Sequence, residues 1–94
     1  MFDIRRGTGG ELVLSGRLDA SQVEKVREEL KALNGPCVVD FQDLEYISSA
    51  GMGVLLGVQK RISAGGHGLT LVHMNKHIRE IFRIAGFDNV FKIE

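Results

Sequence analysis

Two adjacent serines, Ser48 and Ser49, stand between an apolar run ending at Ile47 and a segment that opens Ala50-Gly51-Met52-Gly53. Three kinds of chemistry use a serine at such a junction. Its oxygen can accept from the free N–H groups of a helix's first turn, a cap that needs no function. Its hydroxyl can act as a nucleophile, which on a strand-to-helix turn calls for the pattern G-x-S-x-G. Gly51 is present, but Ile47 stands where the first glycine belongs, and no His–acid pair is evident in the sequence. Finally, the hydroxyl can accept a phosphate, whose charge suits the positive end of a helix and its unpaired N–H donors. A phosphate there is expected to add surface charge without unfolding the domain.

The face on which Ser49 sits follows from a helical projection of about 100° per residue. Gly51, Val54, Leu55, Val58 and Ile62 share one broad face, which is the expected core face. Ser49, Met52, Gly53, Leu56, Lys60 and Ser63 gather on the other. Large apolar residues at Met52 and Leu56, beside an exposed serine, suggest a docking surface. The alternative is that a neighbouring loop covers them.

The surrounding elements must hold this junction in place. "FDIRR" and "ELVLSG" read as two strands around the turn "GTGG". Val23, Val26, Leu30 and Leu33 then recur at helical spacing, with Asp19 as the cap, Gln22 in the capping-box position and Asn34-Gly35-Pro36 as the stop. "CVVDF", Cys37–Phe41, reads as a buried strand. A helix is expected from about Ser49 to Ser63, closed by Ala64-Gly65-Gly66, followed by the strand "LTLVH", Leu69–His73. Asn75 caps a third helix with Ile78, Ile81, Phe82 and Ala85 on one face and Gly86 as its stop. "VFKI", Val90–Ile93, makes a short last strand. The order β-β-α-β-α-β-α-β implies an α/β fold with a mixed, mostly parallel sheet packed against helices, in a single domain over 1–94.

Composition excludes several classes of function. Lys+Arg 12 against Asp+Glu 12 leaves no net charge and hence no electrostatic case for nucleic acid or an anionic membrane. A single cysteine, Cys37, fits a reducing cytoplasm and reads as a buried, inert thiol. No apolar stretch approaches the roughly 20 residues of a membrane span, so membrane insertion is not expected. His73 and His77 are four apart, but His73 ends a strand and Asn75 intervenes, so no metal pair is expected. "GTGG" and "GGHG" lack the Lys and Ser/Thr of a P-loop and read as turns. Neither a metal nor a cofactor is implied.

The element order, with "GRLDA" before the first helix and "DLEYISSAGMGVLL" before the second, resembles a STAS domain. More closely, it resembles the stand-alone anti-sigma factor antagonists (anti-anti-sigma factors) of bacteria, over essentially the entire chain. That family's junction commonly reads D-S-[ST]-G-[LM]-G. Aligned on Gly51 and Gly53, its phosphoacceptor falls on Ser49. The sequence departs from the pattern at Ser48, where an acid is usual, and at Ala50, where a hydroxyl is usual. The resemblance implies a cytoplasmic regulatory module, not an enzyme. Its partner is an anti-sigma factor that is itself a serine kinase, contacted through Asp19, Ser48, Ser49, Met52, Gly53 and Leu56. A serine phosphatase resets the modified form. An alternative, similar to the STAS subunits of bacterial lipid-transport ATPases, docks the same helix permanently on an ABC ATPase.

Overall fold

The computed structural model describes every residue except Asn34. β1 (Phe2–Arg6) and β2 (Leu12–Leu18) form the expected hairpin. A 3-10 turn, Ala20–Gln22, leads into α1 (Val23–Leu30), followed by β3 (Cys37–Ile47), α2 (Ser49–Ser63), β4 (Leu69–Val72), α3 (Lys76–Ile84), a 3-10 turn at Phe87–Asn89 and β5 (Lys92–Ile93). The sheet order is β1-β2-β3-β4-β5, antiparallel only between β1 and β2.

That order decides where the core lies. Three successive parallel crossovers each step one strand in the same direction, and right-handed crossovers then put all three helices on one face of the sheet. Leu14, Val39, Phe41 and Leu71 point into that face and meet Val26 and Leu30 of α1, Leu55 and Ile62 of α2, and Ile78 and Phe82 of α3 in one apolar cluster. Phe82 sits edge-on to Phe41, Phe87 and Phe91, with ring centroids 5.8–6.3 Å apart. The opposite face stays open. It carries Val38, the Arg17 guanidinium 4.4 Å above the Tyr46 ring, and His73 Nδ1 3.0 Å from Asp40 Oδ1.

Several boundaries differ from the sequence-based expectation, each for a physical reason. β3 runs on past Phe41 to Ile47. Its pairing with β2 slips twice, between Val13 and Ser15 and between Gly16 and Arg17, and each slip places an extra residue on β3. The bulges turn alternate burial into burial at every third residue, Phe41, Leu44 and Ile47, a period that does not read as a strand. α1 stops at Leu30, short of Leu33. Arg61 of α2 donates to the Leu30 and Leu33 carbonyls at 2.7 and 2.5 Å, satisfying the helix end from outside. The expected stop at Asn34 lies outside the described residues. Strand β5 is shorter than "VFKI" because the 3-10 turn ends at Asn89 and Phe91 turns into the core. Gly86 adopts φ +79, the left-handed geometry that ends α3.

Phe82 is fully buried and ties α3 to β3 through Phe41 and to the approach to β5 through Phe87 and Phe91. Phe82→Ala should lower unfolding free energy by about 3–5 kcal/mol, read as an earlier urea midpoint with an unchanged slope.

Candidate functional site

The site lies where two neighbouring parallel strands end together. Leu18 of β2 pairs with Ile47 of β3, so the loops that follow them emerge side by side. One begins with Asp19, the other with Ser48 and Ser49. Loops at the carboxyl ends of parallel strands are where α/β sheets place function, because the helices that follow point their N-termini there.

Two contacts stitch the loops together. The Ser48 N–H donates to the Leu18 carbonyl at 2.9 Å. Gly51 then lies so close to β2 that an added Cβ would come within 2.9 Å of Leu18 Cγ and 3.1 Å of Ile47 Cγ1. Only glycine lets the first turn of α2 settle this deeply. Ser48 is the cap: its Oγ accepts from the Gly51 N–H at 3.2 Å, and its carbonyl accepts from the Met52 N–H at 3.0 Å. Ser49 is the first helical residue and is exposed. The first turn holds no acidic residue, so the positive end of the helix dipole lacks a carboxylate of its own there.

Asp19 is engaged as a cap. Its carboxylate accepts from the Ser21 backbone N–H at 2.9 Å and the Ser21 hydroxyl at 2.6 Å, while Gln22 Oε1 accepts from the Asp19 N–H at 2.9 Å. This is the capping box expected from the sequence. The Ser21 hydroxyl first, and its backbone N–H second, hold the Asp19 carboxyl below the usual carboxylate range.

The other residues singled out by sequence divide between surface and core. Gly53 is exposed and Leu56 is half-buried against the core. Met52, expected on the outer face, is buried at 7% exposure and joins the central cluster. The reason is the position of α2. As the middle of three helices on one sheet face it has a neighbour on each side, so its buried arc runs on from Gly51, Val54, Leu55, Val58 and Ile62 to take in Met52. Met52 therefore reaches the surface of this site only through the shape it imposes.

Sequence reasoning missed two features nearby. Gln59, midway along α2, accepts from the Leu69 N–H at 2.7 Å and donates to the Val90 carbonyl at 3.2 Å, locking α2 to β4 and the approach to β5. Arg27, Lys31 and Arg61 line a groove beside Gly53 and Gly57. The four-residue spacings Arg27–Lys31 and Gly53–Gly57 were its only trace in the sequence. Cys37 is buried, and burial pushes its thiol pKa up, away from reactivity. Among the described residues no cluster of three or more metal-ligating side chains occurs, and no helix is long and apolar enough to cross a membrane.

The fold and its capped junction define a small α/β module with a five-stranded mixed sheet covered on one face. A family model described as Mlab, STAS domain, matches residues 4–93. A Bordetella bronchiseptica protein named as an anti-sigma factor antagonist, BtrV, is 34% identical over 84 residues, spanning 85% of this chain and 72% of that protein. A Thermotoga maritima structure described as an anti-sigma factor antagonist, TM1081, superposes with a TM-score of 0.79 at 22% identity, over 99% of this chain and 85% of that one. The Bacillus cell fate determinant SpoIIAA in its phosphorylated form superposes with a TM-score of 0.71 at 21% identity, over 100% of this chain and 91% of that one. At those identities the two structures speak to the fold alone. The chain belongs to the STAS domain family, among its anti-sigma factor antagonists.

Ser48→Ala should cost about 1 kcal/mol through the lost cap, and Gly51→Ala about 1–3 kcal/mol through overpacking against Leu18, both measured by denaturant unfolding. Asp19 has a folded pKa below its unfolded one, so its stabilisation is present above the unfolded value and is lost as pH falls through the folded value. Asp19→Asn keeps a cap acceptor but cannot titrate. It should leave the melting temperature near neutral pH little changed and flatten its fall below about pH 4.

Proposed function

We propose that this protein binds an anti-sigma factor that is a serine kinase, and that phosphorylation of Ser49 switches that binding off. By occupying the kinase, the unmodified form frees a sigma factor and so regulates sigma-factor-dependent transcription. It acts in the cytoplasm as a binding module, not an enzyme. The observation that carries this reading is an exposed serine at the first position of a helix whose cap is supplied by a different residue, Ser48. Modifying Ser49 therefore leaves the cap in place.

The kinase transfers the γ-phosphoryl group of ATP to Ser49 Oγ; the hydroxyl proton leaves and ADP is released. The new group brings about 1.5–2 negative charges. Within the domain those charges meet a positive helix end without a first-turn acid, so the fold tolerates them. Across an interface they must be desolvated, and any acidic or apolar surface opposite them repels or fails to solvate them. Binding weakens while the domain stays folded. A separate serine phosphatase removes the group and restores binding. Asp19, Ser48, Gly53 and Leu56 surround Ser49 in the contact, and Met52 supports it from beneath. That SpoIIAA exists as a phosphorylated structure of the same fold supports the reading.

A second reading is constitutive docking on a partner such as a lipid-transport ABC ATPase. Ser48 and Ala50, in place of the usual acid and hydroxyl, favour it. Co-purification with an ABC ATPase, and not with a serine kinase, would decide for it.

Ser49→Asp should weaken binding to the anti-sigma factor by about tenfold or more, through charge placed in the contact, with an unchanged circular dichroism spectrum. Ser49→Ala should bind as the unmodified protein does and resist inactivation by kinase and ATP. Equal affinity of Ser49→Asp and the original, measured by calorimetry, would refute the switch.

A further inference from the structure

α2 contains three glycines in its first nine residues, and they are not equivalent. Gly51 is required by the domain's own packing, since a Cβ there would strike Leu18 and Ile47. Gly53 and Gly57 are not. A Cβ at either would meet nothing within 4 Å. Interior helical glycines lower stability relative to alanine, and here no internal contact offsets that loss. What their bare backbone does instead is keep open a groove of about 310 Å³ between α1 and α2.

The charged side chains that line the groove are all cationic. Arg27 and Lys31 line it from α1 and Arg61 from α2, over a floor of Gly53, Gly57 and Val58, with no acidic side chain among the lining residues. Arg61 is held in place by the Leu30 and Leu33 carbonyls. Arg27 pairs with Glu24, and Lys31 lies 3.8 Å from Glu28, both in solvent-exposed pairs along the outer side of α1. Such pairs contribute little and exchange readily for a better-placed carboxylate. Arg27 and Lys31 are one helical turn apart, so they match two carboxylates one turn apart on another helix. The glycines allow that helix's backbone to approach closely.

We infer that the α1–α2 groove receives an acidic helix of the anti-sigma factor, with two carboxylates one turn apart facing Arg27 and Lys31. This rests on the functional reading above and extends the contact from Ser49 along α2 by way of Gly53 to Gly57. It separates two roles: Ser49 carries the switch, and the groove carries affinity and orientation. Phosphate on Ser49 then acts beside the acidic helix, adding like charge at the mouth of the groove.

The test compares variants of the full chain against the purified anti-sigma factor of its own host by calorimetry, at low and high salt. Gly57→Leu fills the groove, and Arg27→Gln/Lys31→Gln removes its paired cations. Lys76→Gln/Arg79→Gln removes the same charge from the exposed side of α3. Both groove variants should bind at least tenfold more weakly. Gly57→Leu should melt no lower than the original, since its Cβ has open space and leucine is the better helix former. The α3 control should bind within twofold of the original, and the original should lose affinity as salt rises. Groove variants that bind like the original overturn the inference. So does a control that loses as much as the groove pair, because the effect is then one of overall charge. Ser49→Asp, measured alongside, separates the two readings. Its loss of binding with intact binding by the groove variants overturns the groove alone. An original protein that binds no anti-sigma factor overturns both.

Discussion

The junction depends on one close approach, the seating of Gly51 against Leu18. A side chain at position 51 would press on Leu18 and Ile47, beside the hydrogen bond from the Ser48 N–H to the Leu18 carbonyl. That bond holds the loop bearing Ser48 and Ser49 against the loop bearing Asp19. With both contacts in place, the cap at Ser48 and the capping box at Asp19 form within a few residues of each other on adjacent strand ends. Each loop is rigid for its own local reason. Their mutual position is a tertiary fact, made by the pairing of Leu18 with Ile47 at the strand ends, a glycine and one backbone hydrogen bond.

The one-faced sheet sets the second constraint. Because every crossover runs the same way, α2 is flanked on both sides and its apolar arc is wide. Met52 is drawn into the core, and the exposed face of α2 begins with Ser49, Ala50, Gly53 and Gly57, all small, and carries Lys60, Arg61 and Ser63 beyond them. A surface of this kind offers backbone and a hydroxyl more than it offers apolar bulk, so recognition depends on close fit and charge.

This arrangement suits a reversible charge switch better than it suits catalysis. A nucleophilic serine needs a base within hydrogen-bond reach and a donor pair for an oxyanion. A phosphoacceptor needs only exposure, a backbone that tolerates the charge and a partner that does not. Ser49 has the first two within the domain itself, and its cap is supplied by the neighbouring serine. In the proposed switch, separating cap from acceptor would let the surface change sign of interaction while the helix end keeps its hydrogen bonds.

Much of this was legible in the residues alone. Element order, both caps, the capping box and the span Ser49–Ser63 are local properties, determined by hydrogen-bonding side chains and periodicity within a few positions. The family pattern around Gly51 and Gly53 was legible too. Three things were not. The length of β3 was hidden because two bulges changed its burial period from two to three. The burial of Met52 depended on helices distant in sequence. The α1–α2 groove joins residues some thirty positions apart, and its openness reflects what the glycines lack. A sequence determines which faces a helix or strand offers, since that follows from backbone geometry. Which of those faces is covered depends on how the elements stack, and here only the tertiary structure decided it.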